Sequence, residues 1–153
     1  MRRRLARIAE DDRGLAGIEF AMLAPVLLLL LGCLADFALA FWTKGVLASS
    51  VAEGTAYAFA AGPSVSASSI RSVVGQKLSL SAAAVTVTGP SCYCISGTPA
   101  TPASQACANP CPNGTMPGTY VTISAQYTYA SLLPLYSQLA NPVLVETTTA
   151  RLK

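Results

Sequence analysis

The sequence contains no histidine, and only 11% of its residues are charged. Histidine is a common general base and a common metal ligand, so the simplest acid–base and metal-dependent sites have no candidate residue. The chain also lacks a Gly-rich phosphate loop and a nucleophile elbow. We therefore expect a protein that is not an enzyme and that uses neither a cofactor nor a metal.

Positive charge is scarce outside the N-terminal head. The net charge is +3, and five of the ten basic residues stand at the start of the chain: Arg2, Arg3, Arg4, Arg7 and Arg13. From Gly14 onward, five basic residues face four acidic ones, a balance of only +1. A nucleic-acid-binding protein needs a basic surface, so we exclude that class.

Apolar residues, 52% of the chain, are concentrated between Leu15 and Trp42. From Phe20 to Trp42 the only charged residue is Asp36. A bilayer core of about 30 Å needs about 20 helical residues, so this stretch predicts a transmembrane segment at about 20–42. Arginines precede it and only Lys44 follows closely, which predicts a single-pass inner-membrane protein with a cytoplasmic N-terminus and a periplasmic C-terminal part.

A secretory signal peptide is the simpler alternative. Ala38-Leu39-Ala40 offers an A-x-A cleavage site, which would release a secreted domain beginning at Phe41. The apolar stretch is longer than the usual h-region of about 7–15 residues, and Asp36 lies just before the site. Both features favour a retained helix.

The boundary of the apolar stretch has the form G-x-x-x-x-E-F, from Gly14 to Phe20. An acid inside an apolar helix costs a few kcal/mol, so Glu19 needs an explanation. The block resembles a class III, type IVb-like prepilin processing site, which implies cleavage between Gly14 and Leu15 by a prepilin peptidase. Glu19 would then pair with the new α-ammonium of Leu15, in the same chain or a neighbour; alternatively it only reaches the headgroup level.

Residues 13–45 resemble the TadE-like (TadE/TadG) pseudopilins of the tight-adherence (Tad/Flp) pilus. The resemblance rests on the Gly14–Phe20 block, the leucine-rich helix, and the acid and aromatic at Asp36 and Phe37. It implies a 1–14 leader and a minor pseudopilin whose partners are other pilins or pseudopilins and the pilus assembly machinery. The alternative is a membrane-anchored periplasmic binding or adhesion module with an unprocessed helix.

The N-terminal helix is expected to cover 15–62, because no strong breaker occurs before Gly62-Pro63. Within it, four alanines follow one another at intervals of four residues: Ala48, Ala52, Ala56 and Ala60. Such a stripe lets another backbone approach closely and predicts helix packing. The alternative is that alanine simply favours a helix.

The region 63–153 predicts a periplasmic α+β module. The pattern at 67–80 indicates a short amphipathic helix capped by Ser64 or a following serine. Strands are predicted at 84–88, 120–129 and 143–151, with a long loop at 89–118 and room for a helical turn within 131–142. We expect a three-stranded antiparallel sheet packed on the helices.

Four cysteines lie in the predicted long loop: Cys92, Cys94, Cys107 and Cys111. In an oxidising periplasm they predict two disulfides. Three connectivities are possible, and bridges between the two pairs are favoured because a Cys92–Cys94 ring would be very small. A four-thiolate zinc site is the alternative, although the C-x-C and C-x3-C spacings are unusual for one. Cys33 stands apart in the apolar helix.

Overall fold

The computed structural model describes residues 13–153. The predicted 1–14 leader, with Arg2, Arg3, Arg4 and Arg7, therefore lies outside the described residues except for its last two positions. The elements follow in the order α1 (Arg13–Ala61), a 3-10 turn (Gly62–Ser64), α2 (Ala67–Lys77), β1 (Ala84–Ser96), β2 (Thr101–Ser104), β3 (Gly118–Thr128), α3 (Pro134–Leu139) and β4 (Val143–Arg151).

Helix α1 ends where the sequence predicts. It is 49 residues long and continues through Pro25. Gly62 follows it with φ +72, a left-handed backbone conformation that residues other than glycine rarely adopt. Pro63 then cannot continue the helical hydrogen bonds, so the glycine–proline pair terminates α1.

Helix α2 occupies most of the predicted amphipathic segment. Ser66 is its N-cap, and the Ser66 hydroxyl accepts a hydrogen bond from the Ser69 amide at 3.1 Å. Ile70 and Val74 are the buried residues of α2, one turn apart on the same face. The helix ends at Lys77, three residues before the predicted boundary.

The sheet has four strands in the order β2-β1-β3-β4, and every neighbouring pair is antiparallel. The prediction of three strands was wrong, because β1 continues to Ser96 and then turns back as β2. Tyr93 pairs with Ser104 in this hairpin. Part of the predicted 89–118 loop is therefore sheet, whereas β3 and β4 lie close to their predicted positions.

Strand β1 contains a bulge at the Gly89-Pro90 pair and continues beyond it. The register between β1 and β3 shifts between Thr88 and Ser91. Gly89 has φ +101, and a Cβ there would lie 2.7 Å from the Tyr120 carbonyl oxygen. Glycine thus permits a close backbone approach, so a dipeptide that usually interrupts a strand is absorbed as an irregularity within it.

The chain divides into two compact units, and the larger comprises Ala40–Ala130 with Asn141–Lys153. Its core combines α1, α2 and all strands except β2. The buried members are Leu47, Val51, Ala58, Val65, Ile70, Val74, Val87, Val121, Ile123, Ala125 and Ala150. Gly54 belongs to this interface, because a Cβ there would overlap the Val74 side chain.

The smaller unit comprises the described residues up to Leu39 with Ser131–Ala140. Its second segment contains the six-residue helix α3, which confirms the helical turn expected between the last two strands. Leu133 is the N-cap of α3, and Pro134 occupies the first turn, where its missing N–H is not needed.

Candidate functional site

The predicted processing stretch lies at the start of α1. Gly14 and Leu15 belong to the first turn of the helix, and Glu19 and Phe20 follow as exposed residues. The Gly14–Leu15 bond is thus part of the helix. Cleavage at this bond stays a prediction.

The next part of α1 exposes an apolar surface all around the helix. The exposed large side chains are Ile18, Phe20, Met22, Leu23, Val26, Leu27, Leu28, Leu29, Leu30 and Leu31. Over the described residues, one helix is long and apolar enough to cross a membrane, and it contains this stretch. A helix that is apolar on every side needs an apolar environment, which fits a single-pass membrane anchor.

The alanine stripe lies on the part of α1 that belongs to the larger unit. Ala48 is half-buried, and the other three alanines, Ala52, Ala56 and Ala60, are exposed. A different face of the helix, with Leu47, Val51 and Ala58, enters the core. Three of the four alanines therefore lie on the surface of this unit, and the role of the stripe in contacts with another helix stays a prediction.

The four loop cysteines form two disulfides, Cys92–Cys107 and Cys94–Cys111, with Cα–Cα distances of 5.2 and 5.7 Å. Both bridges join the two cysteine pairs, as expected. Cys92 and Cys94 share one face of β1 because side chains in a strand alternate. Each therefore anchors the following irregular segment to the sheet, and Cys33 remains a free thiol.

The opposite face of the sheet carries a shallow groove of about 370 Å³, lined by Tyr93, Ile95, Pro102, Tyr120, Thr122 and Thr149. The rings of Tyr93 and Tyr120 meet edge to face at 6.1 Å between centroids. The Arg151 guanidinium lies 6.0 Å from the Tyr120 ring centroid. This surface combines aromatic rings with hydroxyl groups, and the sequence patterns did not indicate it.

The sequence showed Asp36 as the only charged residue between Phe20 and Trp42 but gave no partner for it. Its side chain is fully buried. Its two carboxyl oxygens accept hydrogen bonds from the backbone amides of Leu132 and Leu133, at 2.7 and 2.8 Å. The sequence did indicate that Asp36 needs polar partners, because an acid inside an apolar helix is costly without them. The partner segment, 96 residues away, could not be read from the sequence.

Helix α1 also contains the part of the chain that matches a known protein family. Residues 14–56 match the TadE-like protein family. The match begins at Gly14, ends at Ala56 and lies entirely within α1. It confirms the TadE-like resemblance predicted from the sequence. Neither a curated protein nor a solved structure matches the chain.

TadE-like pilus proteins are structural proteins and not enzymes, so the match supports a structural role related to the Tad pilus. The matched region contains both the exposed apolar surface and Asp36. The sheet and the disulfides lie beyond it.

Proposed function

We propose that this protein is a minor pseudopilin that takes part in assembly of a Tad/Flp pilus. The TadE-like match over α1 carries the proposal, because it coincides with the exposed apolar surface of that helix. Outside the membrane, such a surface would be covered by the apolar helices of other pilins or pseudopilins. The helix thus serves first as an anchor and then as a packing element.

In this proposal a prepilin peptidase removes residues 1–14. Gly14 has no side chain, which lets an extended backbone enter a protease cleft at the membrane surface. The Gly14–Leu15 bond lies within α1, so the peptidase must unwind the helix locally to reach it. The arginine-rich head would remain in the cytoplasm, and the disulfide-containing module would lie in the periplasm.

Glu19 acquires its role through this cleavage. The new N-terminus at Leu15 carries an ammonium group one helical turn before Glu19. Helical side chains tilt toward the N-terminus, so the Glu19 carboxylate can reach back to that ammonium. The same carboxylate could instead meet the ammonium of a neighbouring subunit and set the axial register between helices.

The mature N-terminus tests the proposal directly. Mass spectrometry of the protein from cells with an active prepilin peptidase should show a chain beginning at Leu15. Gly14→Val should block this cut. Gly17→Val is the matched control, because no atom lies within 4 Å of a Cβ at Gly17. Retention of Met1 in the wild type would overturn the processing step.

Assembly is a separate readout. Glu19→Ala should leave trimming normal but reduce the number of pili, counted by electron microscopy. Glu53→Ala is a control, because Glu53 is also an exposed glutamate on α1 but lies far from the cleavage site. Normal piliation with Glu19→Ala would show that Glu19 is only a boundary residue.

The sheet groove supports a second candidate, a membrane-anchored periplasmic binding or adhesion module with an unprocessed helix. It predicts that Met1 is retained and that Tyr120→Ala abolishes adhesion without affecting membrane anchoring. The third possibility, secretion after Ala40, gains no support, since Ala40 is buried within the continuous helix α1. A mature chain beginning at Phe41 would establish it.

A further inference from the structure

The segment Ser131–Ala140 is mostly apolar, and its polar side chains besides the Tyr136 hydroxyl are Ser131, Ser137 and Gln138. It contains no charged residue. Leu132 and Leu139 are 68% and 66% exposed, respectively, although both are large apolar side chains. The segment belongs to the same compact unit as the N-terminal part of α1.

Three contacts hold this segment along α1 between Gly32 and Phe37. Asp36 accepts hydrogen bonds from the two amides that precede α3. The rings of Phe37 and Tyr136 meet edge to face, with centroids 5.2 Å apart. At Gly32, a Cβ would lie 2.7 Å from the Leu133 Cδ1 atom, so glycine permits the close approach.

These contacts lie at membrane depth if α1 spans the bilayer from Phe20 to Trp42. An α-helix rises about 1.5 Å per residue, which places Asp36 about 9 Å and Gly32 about 15 Å inside Trp42. The hydrocarbon core is about 30 Å thick. The segment therefore runs beside the half of the span that is nearer to Trp42.

The polar groups in this contact are arranged as hydrocarbon surroundings require. Backbone amides in lipid need a partner, and irregular backbone is tolerated only where protein groups satisfy it. The Leu132 and Leu133 amides have one in Asp36, and Pro134 has no amide hydrogen. In turn, full burial separates the Asp36 carboxyl group from the acyl chains, since an intramembrane acid faces protein groups and not lipid.

We propose that Ser131–Ala140 is a second membrane-embedded segment, inserted among the acyl chains of the leaflet that contains Gly32–Trp42 and held there by Asp36. The exposed side chains of Leu132 and Leu139 contact lipid in this arrangement. Lipid is the occupant expected here, because the segment belongs to the same compact unit as the exposed apolar stretch of α1 and contacts α1 within the predicted span. The inference rests on the membrane-anchoring part of the proposed function.

The single tryptophan of the chain makes the depth measurable. In a Trp42→Phe background, Leu132→Trp and Leu139→Trp each introduce one fluorophore into the full chain, reconstituted in liposomes of lipids brominated on their acyl chains. Leu28→Trp, in the middle of the span, is the positive control. Met116→Trp is the negative control, because Met116 is exposed in the larger unit.

Bromine should quench the probes at 132 and 139 nearly as strongly as the probe at 28, and should leave the probe at 116 unquenched. Aqueous iodide should show the reverse order. Iodide quenching of both segment probes, with intact bromine quenching at position 28, would overturn the inference and leave the anchor standing. Loss of bromine quenching at position 28 as well would reject the anchor itself.

Asp36→Asn tests what holds the segment. Asparagine offers one acceptor oxygen in place of two, so one of the two amides loses its partner. Bromine quenching of the Leu132→Trp and Leu139→Trp probes should then fall several-fold, while that of the Leu28→Trp probe stays the same. Unchanged quenching at both segment positions would overturn the role of Asp36.

Discussion

The two halves of α1 are both rich in apolar side chains but place them in opposite environments. From Ile18 to Leu31 the large residues are exposed, whereas Leu47 and Val51 lie in the core of the larger unit. The second half is covered by a sheet and a helix that the chain itself supplies. Within the smaller unit, and among the residues that the structure describes, Ser131–Ala140 contacts α1 from Gly32 onward.

The comparison shows that apolar composition does not by itself create a protein core. Burial of a side chain stabilises a fold only when another part of the chain removes it from water. Where no such layer exists, the same residue types serve as a surface for lipid or for other helices.

The largest contrast should come from the same kind of truncation in the two environments. Ile123→Ala leaves a cavity beneath the sheet, since Ile123 is fully buried, and should lower the free energy of unfolding by about 2–5 kcal/mol. Leu28→Ala removes an exposed side chain and should leave the thermal unfolding of the sheet unchanged. Circular dichroism of both variants in detergent gives the comparison, and equal losses would contradict it.

Disulfides provide the second effect, because the irregular segment after β2 depends on them. Replacing Cys94 and Cys111 together by serine opens a bridge between residues 17 apart. The free energy of unfolding should fall by about 3 kcal/mol, measured by denaturant titration. Cys33→Ser is the matched control and should cause little change. An unaltered titration midpoint in the double variant would mean that the bridge does not stabilise this region.

Asp36 gives the third effect, local to the smaller unit. In Asp36→Asn one partly buried amide loses its acceptor, which costs about 1 kcal/mol. Hydrogen exchange of the Leu132 and Leu133 amides should accelerate accordingly, while the amides of β3 keep their protection. If exchange at both leucines matches the wild type, the two hydrogen bonds do not hold the segment.

The smallest effect should come from the ion pair between Lys77 and Glu53. Its atoms are 4.0 Å apart, and both side chains are more than half exposed. Solvent and salt screen such pairs, so Glu53→Gln should change the free energy of unfolding by less than about 0.5 kcal/mol. Thermal unfolding at low and high salt checks this, and a large loss would show an unrecognised coupling between α1 and α2.

Local chemistry explains which elements could be predicted. Gly62-Pro63 ends α1 through its backbone conformation alone. Strand β3 shows the alternation of a strand with one buried face, and β4 alternates between half-buried and exposed residues. Strand β1 was predicted too short, because Gly89-Pro90 usually interrupts a strand. In the structure a bulge beside Tyr120 absorbs the pair, and this depends on the neighbouring strand and not on β1.

The candidate site divides in the same way. The form of the Gly14–Phe20 block and the length of the apolar helix are properties of consecutive residues, so the sequence alone determined the TadE-like resemblance and the anchor. The pairing of the cysteines and the partner of Asp36 became known from the three-dimensional fold. These depend on contacts between distant residues, and only folding of the intervening chain brings such groups within reach of a covalent or hydrogen bond.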